Sequence, residues 1–156
     1  MIGQRALRAI LVVVGVYHVG QGLLALFGPG TFFDEIGRYG VENDHYIGDV
    51  GGFTFAFGIA ALLAAWRPSW RVPVLGLGAL WYGVHALNHA FDVGEARSDA
   101  RGVFDTLALA IGAAISAYLA SVAARLGRGR EPEASAERNS ARAQRADART
   151  EGRTGP

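Results

Sequence analysis

The chain contains no cysteine, and its one methionine is Met1. Disulfides and thiolate-ligated metals are therefore excluded, and so is a soft Cu(I) site of the thioether kind. Lysine is absent as well: all 15 basic residues are arginine, set against 14 acidic residues for a net charge of +1. That balance points to no nucleic-acid surface. A G-x-S-x-G nucleophile elbow and a phosphate-binding glycine loop are also missing, which speaks against serine hydrolysis and nucleotide chemistry. From residue 127 onward, "GRGREPEASAERNSARAQRADARTEGRTGP" has no Val, Ile, Leu, Met, Phe, Trp or Tyr. Nothing in that stretch buries enough surface to offset chain entropy, so 127–156 is expected to be a disordered Arg/Ala/Glu-rich cytoplasmic tail, in weak contact with anionic lipid at most.

What remains is strongly apolar. The chain is 51% hydrophobic, and that share is concentrated in residues 1–126. Four runs, 6–27, 46–66, 74–91 and 103–122, each have roughly the length that a bilayer core demands of a helix. Stretches such as "FTFAFGIAALLAAW" and "LALAIGAAISAYLA" are apolar or small all the way round, without the polar stripe of a soluble bundle. The expected fold is therefore all-α: an integral membrane four-helix bundle with up-down topology and a membrane domain over 1–126. The first run follows Arg5 and Arg8 as a signal peptide would. It is long, however, it carries His18 and Gln21, and "LFGPG" offers no small-x-small cleavage site, so it counts as the first helix.

Arginine placement orients the bundle. Arg5, Arg8, Arg67, Arg71 and Arg125 fall on one side without nearby acids, whereas Arg38, Arg97 and Arg101 sit among Asp34, Glu35, Glu42, Asp44, Glu95 and Asp99. Both termini are then cytoplasmic, in a multi-pass protein of the cell inner membrane. In that order the polar residues gather in the outer, extracytoplasmic half. His45 and Asp49 open the second run, His85, His89 and Asp92 close the third, and Asp105 lies near the start of the fourth. His18 is deeper, roughly 13 Å inward from the end of the first.

Helical spacing groups these residues into stripes: Tyr82, His85, His89 and Asp92; His45 and Asp49; His18, Gln21 and Gly22. Facing inward is the alternative to facing lipid, so the stripes are expected to share one pocket. Gly48, Gly51 and Gly52, with Gly15 and Gly22, allow close helix approach, as do Ala110, Ala113, Ala117 and Ala120; Gly48 and Gly52 form a G-x-x-x-G pair. The aromatic pair Phe32 and Phe33 reads as an interfacial anchor or as a cover over the pocket mouth.

Histidine with histidine or carboxylate at i, i+4 is the way a helix supplies two ligands to a metal in a bundle core. His18, His45, Asp49, His85, His89 and Asp92 are the candidate metal ligands, and their nitrogen and oxygen donors suit Fe, Zn, Mn or Cu(II). Haem held by His18 and His85 is a variant. The same histidines, oriented by Asp49 and Asp92, serve equally as acids and bases acting on an isoprenoid or lipid, with no cofactor. A purely structural role competes at each position, although a charged group at the helix centre costs at least ~2.5 to 3.5 kcal/mol. Tyr82 and Asn88 are expected to support the ligands or the packing, and Asp105 to cap its helix or join the site.

The combination of "PGTFF", "NDHYIGDVGG" and "VHALNHAFD" resembles small four-helix membrane proteins of actinobacterial type and unknown function. It is distantly similar to the DoxX-like four-helix proteins, over about residues 10–93. The sharpest part is H-x-x-x-D-x-G at His45, Asp49 and Gly51, with H-x-x-x-H at His85 and His89. The resemblance implies four helices and, because DoxX-like proteins act as redox-associated membrane subunits, a redox role. The leading expectation is a His/Asp-lined metal or haem pocket in a membrane-bound oxidoreductase. An accessory subunit docked to a membrane protein partner, and a cofactor-free acid-base enzyme taking a lipophilic small molecule, are the alternatives.

Overall fold

The computed structural model describes residues 2–128 and 140. Among them are five α-helices and no strand: α1 (Gln4–Phe27), α2 (Pro29–Glu35), α3 (Asp44–Trp66), α4 (Pro68–Phe91) and α5 (Asp99–Arg128), with a 3-10 turn at Val93–Glu95. By length and hydropathy α1, α3 and α5 are each able to cross a membrane, which marks an all-α membrane protein. α4, which carries Arg71, His85, Asn88 and His89, is not among those three. The chain divides into a compact unit, Met1–Ala123, and a second, Ala124–Pro156, whose described residues are the end of α5 and Ser140. The expected disordered tail lies outside the described residues from 129 on, apart from 140.

Local chemistry sets the helix ends. α1 stops at Gly28 because Pro29 has no N–H to continue the ladder, and that same proline opens the seven-residue α2 at its first position. Asn43 caps α3, its Oδ1 accepting from the Tyr46 amide at 3.2 Å, and Asp44 adds a favourable charge to the first turn. Pro68 ends α3 and opens α4, so Arg67 alone joins them. α4 thus begins at Pro68, ahead of the expected apolar run 74–91. The buried Arg71 explains why the helix tolerates this. Its Nε and Nη2 donate to the Ala64 and Ala65 carbonyls of α3, each at 3.1 Å, and Nη1 donates to Gln4 of α1. Those carbonyls belong to the last turn of α3, where no amide remains to bond them, so the guanidinium supplies the missing donors.

α1 and α3 make the most extensive helix contact, and they run antiparallel. A Cβ added at Gly22 would lie 2.5 Å from the Phe55 amide nitrogen, and one at Gly58 2.6 Å from that of Val19. Gly15 and Gly51 are similarly closed in, by Leu62 and Ala25. Only glycine permits this approach. The G-x-x-x-G pair expected to serve it does not: Gly48 and Gly52 have nothing within 4 Å of the added Cβ. α4 then packs on α3 through Phe57, which meets Gly78 and the Trp81 ring. α5 meets α4 by side chains across small residues, with Gly83 against Ala113 and Gly112 against the Tyr82 ring.

Gly58→Ala should cost about 1–3 kcal/mol or more by forcing the two backbones apart, whereas Gly48→Ala and Gly52→Ala should be neutral or stabilising by up to ~1 kcal/mol through helix propensity. Thermal unfolding in detergent distinguishes the two classes; equal losses at all three positions would contradict the packing described.

Candidate functional site

Between the α1–α3 pair and α4–α5 lies a cavity of about 780 Å³, at the end where α1 and α4 finish and α3 and α5 begin. α1 contributes Tyr17, His18 and Gln21, α4 contributes Trp81, Tyr82, His85, Asn88 and His89, and Asp92 follows at the C-cap of α4. The wall from α3 is Tyr46, Ile47, Val50 and Thr54, and that from α5 includes Phe104, Asp105 and Leu109. Phe32 and Phe33 of α2 close over it with Tyr39 from the following loop, so the aromatic pair covers the cavity.

His18 is buried, at 3% exposure. Its Nδ1 lies 2.7 Å from the Val14 carbonyl, an acceptor only, so Nδ1 carries the proton and donates. Nε2 is then a lone pair, and Tyr82 donates its hydroxyl to it at 2.5 Å. Phe57 and Tyr82 flank the ring edge-on at 5.0 and 5.9 Å. Both ring nitrogens of His18, a residue expected to ligate a metal or haem, thus have partners within the protein.

His85 and His89 share a face of α4, with Nε2 atoms 3.0 Å apart and both Nδ1 atoms buried without a hydrogen-bond partner. With both rings neutral, one Nε2–H donates to the other Nε2. The donor ring keeps a bare Nδ1 and the acceptor ring keeps an Nδ1–H, so the pair holds one unmet acceptor and one unmet donor.

The mouth is tied by charge. Arg101 Nε donates to both Asp105 oxygens, at 3.0 and 2.9 Å, and Arg101 Nη2 donates to the Ile36 carbonyl at 3.4 Å. Tyr39 packs edge-on against His89 with centroids 4.2 Å apart and directs its hydroxyl at Asp105, 3.5 Å away. Its backbone pairs with Ala96. Burial, followed by the charge of Asp105 and the hydrogen bond to it, pushes the Tyr39 phenol above its ordinary 10.0.

The structure separates the six residues expected to form one ligand set. His18, His85, His89 and Asp92 all line the cavity, but His45 and Asp49 do not. They lie 3.7 Å apart on the outside of α3, with side chains 83% and 69% exposed. The cavity face of α3 runs through Ile47, Val50 and Thr54, and at ~100° per residue His45 and Asp49 stand roughly 160° round from Ile47. Among the described residues no three His, Asp or Glu side chains come together closely enough to hold a metal ion. Sequence reasoning missed Tyr39, whose loop position carries no periodicity, and also Arg101 and Trp81, whose i+4 relations to Asp105 and His85 were available.

Because the Tyr39 phenol is raised, it is protonated at neutral pH and supports the mouth there; that support is lost only as pH climbs through the raised value. A pH titration of phenolate absorbance, compared with Tyr39→Phe, should show one tyrosine ionising above 10.0, and Asp105→Asn should bring it down. No change in Asp105→Asn would remove Asp105 as a cause.

No curated protein and no solved structure matches the chain. One family model does, over residues 6–91, a stretch that takes in α2, α3, α4 and nearly all of α1 and therefore His18, Tyr82, His85 and His89, while Arg101 and Asp105 fall beyond it. That family is described as "Domain of unknown function (DUF4345)", and the chain belongs to it.

Proposed function

We propose that this is a multi-pass inner-membrane protein, with four spanning helices in up-down order and both termini cytoplasmic, that binds a lipophilic small molecule in its extracytoplasmic half. The arginine asymmetry between alternate loops supports the orientation, and the residue-by-residue pairing of α1 with α3, α3 with α4 and α4 with α5 runs antiparallel, in keeping with the order. The observation that carries the function is the cavity. Its volume of about 780 Å³ falls within the range of small-molecule sites, and it sets aromatic and aliphatic walls against a strip of neutral donors and acceptors on α4. An amphipathic ligand fits that division; water alone would leave the aromatic walls wet. The His85–His89 pair, which shares one proton between its Nε2 atoms beside the cavity, is suited to give or take a proton from such a ligand, which makes acid-base chemistry on an isoprenoid or other lipid the accompanying reading.

A second reading retains a transition metal, Fe, Zn, Mn or Cu. The 3.0 Å between the Nε2 atoms of His85 and His89 suits two nitrogens on one ion, with the remaining positions open to ligand. Against it, neither Nδ1 has the acceptor that normally orients a ligating imidazole. Elemental analysis of detergent-purified protein beside a His85→Ala/His89→Ala variant decides: near-stoichiometric metal lost in the variant supports it, and equal metal in both rules it out.

The pocket itself is tested through Trp81, one of three tryptophans in the chain. In a Trp66→Phe/Trp70→Phe background, a bromine-labelled long-chain alcohol should quench Trp81 saturably, and Ala108→Phe, which fills the cavity, should weaken that saturable part about tenfold or more, the loss of roughly one well-packed group. Purely linear quenching, unchanged by Ala108→Phe, would contradict a binding cavity.

A further inference from the structure

The hydrogen bonds inside the cavity run in one direction, and that direction restricts what the ligand's polar atoms must be. The Val14 carbonyl takes the His18 Nδ1 proton, His18 Nε2 takes the Tyr82 hydroxyl proton, and the Tyr82 oxygen is left with lone pairs and no proton to give. At this deep end a carbonyl-bearing ligand meets an acceptor facing an acceptor, while a hydroxyl-bearing ligand finds its partner. Gln21, one turn from His18 and also on the wall, offers both a donor and an acceptor and so does not discriminate.

Further toward the mouth, a ligand oxygen that takes the place of the His85–His89 contact meets an Nε2 that donates or accepts according to the tautomer. His85 is three residues beyond Tyr82, a rise of about 4.5 Å along α4, and His89 seven residues, about 10 Å. With each C–O bond a little over 1.2 Å and a six-membered ring between, two para oxygens stand roughly 5 Å apart, within that interval. The walls present flat faces: Trp81 stacks obliquely on Tyr82 at 5.1 Å, and Tyr17, Tyr39 and Phe104 line other sides. Such walls favour an aromatic ring over a flexible chain. Charge at the mouth excludes an anionic head, since Arg101 is already held by Asp105 and the other charged group there, Asp92, is itself an anion.

From these observations we propose that the cavity selects a lipophilic phenol or hydroquinone, its ring between the aromatic walls, one hydroxyl donating to the Tyr82 oxygen and a second polar atom, when present, meeting the His85–His89 pair. The proposal rests on the pocket reading above and adds the ligand's class and hydrogen-bonding sense. Tyr82 is then the specificity-determining residue, oriented by His18.

The test uses the full chain in detergent under anaerobic conditions, with the brominated alcohol as the displaced probe and four tail-matched competitors: decylbenzene, para-decylphenol, decylhydroquinone and decylbenzoquinone. Phenol and hydroquinone should displace the probe at concentrations about three- to tenfold lower than the benzene and the benzoquinone, the worth of one neutral hydrogen bond. Tyr82→Phe combined with His18→Leu, which removes both the phenol oxygen and the imidazole lone pair that Tyr82→Phe alone would bare, should erase that preference while the probe still binds. Should the double variant lose the probe as well, the ratio of hydroquinone to benzoquinone in the unmodified chain decides alone. Four equal competitors, or a benzoquinone that binds as tightly as the hydroquinone, would overturn the proposal and leave the pocket standing. Failure of the probe itself to bind saturably would overturn the pocket and the proposal together.

Discussion

At Gly15, Gly22, Gly51 and Gly58 the backbones of α1 and α3 approach too closely to admit even a methyl group, and this contact governs what every other helix can do. Lipid tails are as apolar as leucine, so a membrane helix gains little by merely hiding apolar surface, and close packing becomes the main source of association. Once the glycine faces are committed to each other, the adjoining faces, Tyr17, His18 and Gln21 on α1 and Ile47, Val50 and Thr54 on α3, turn together toward α4 and α5. α4 is held there by Phe57 and Trp81 near mid-helix and by Arg71 at the opposite end. α5 makes its close backbone approach at Gly102 to Val93 and none comparable to α1 or α3, so space remains between it and the α1–α3 pair. That space is the cavity.

Within it, polarity is organised by backbone as much as by side chains. A carbonyl accepts and never donates, so the contact from Val14 sets the tautomer of His18, and through it the direction of the Tyr82 hydroxyl. At the other end the His85–His89 pair has no such anchor, and its buried Nδ1 atoms lack partners. Buried polar groups are rarely left so in folded proteins, and each such pair calls for a water, an ion or a ligand beside it. The mouth differs again: Arg101 and Asp105 neutralise each other and hold Tyr39 over His89, coupling the loop after α2 to the start of α5.

Much of this was legible in the residues one at a time. The long helices followed from apolar runs, while the seven-residue α2 and the start of α4 at Pro68 did not, although Pro29, Asn43 and Pro68 act only on their immediate neighbours. The stripe Tyr82, His85, His89 and Asp92 was also visible, because i, i+3 and i+4 are properties of a single helix, and the structure carries that stripe intact to the cavity. Two readings did not carry over. His45 and Asp49 are as well spaced as His85 and His89, yet they point outward, and Gly48 with Gly52 matches the small-residue motif better than Gly51 with Gly58 does. Spacing places residues on one face of a helix without saying which way that face looks.

By itself, then, the sequence determined an all-α, membrane-type chain, the apolar stretches that become its long helices and the supply of histidine, aspartate and aromatic side chains, since hydrophobic length acts within a single helix. Only the tertiary structure decided which of those side chains meet. The rotation of each helix about its axis is set by where α1 and α3 interlock, and that contact joins residues from 26 apart (Ala25 and Gly51) to 47 apart (Gly15 and Leu62) in the chain, where no local pattern reaches. His18 with Tyr82, and Tyr39 with His89 and Asp105, are consequences of that rotation, as is the exclusion of His45 and Asp49 from the cavity they were expected to share.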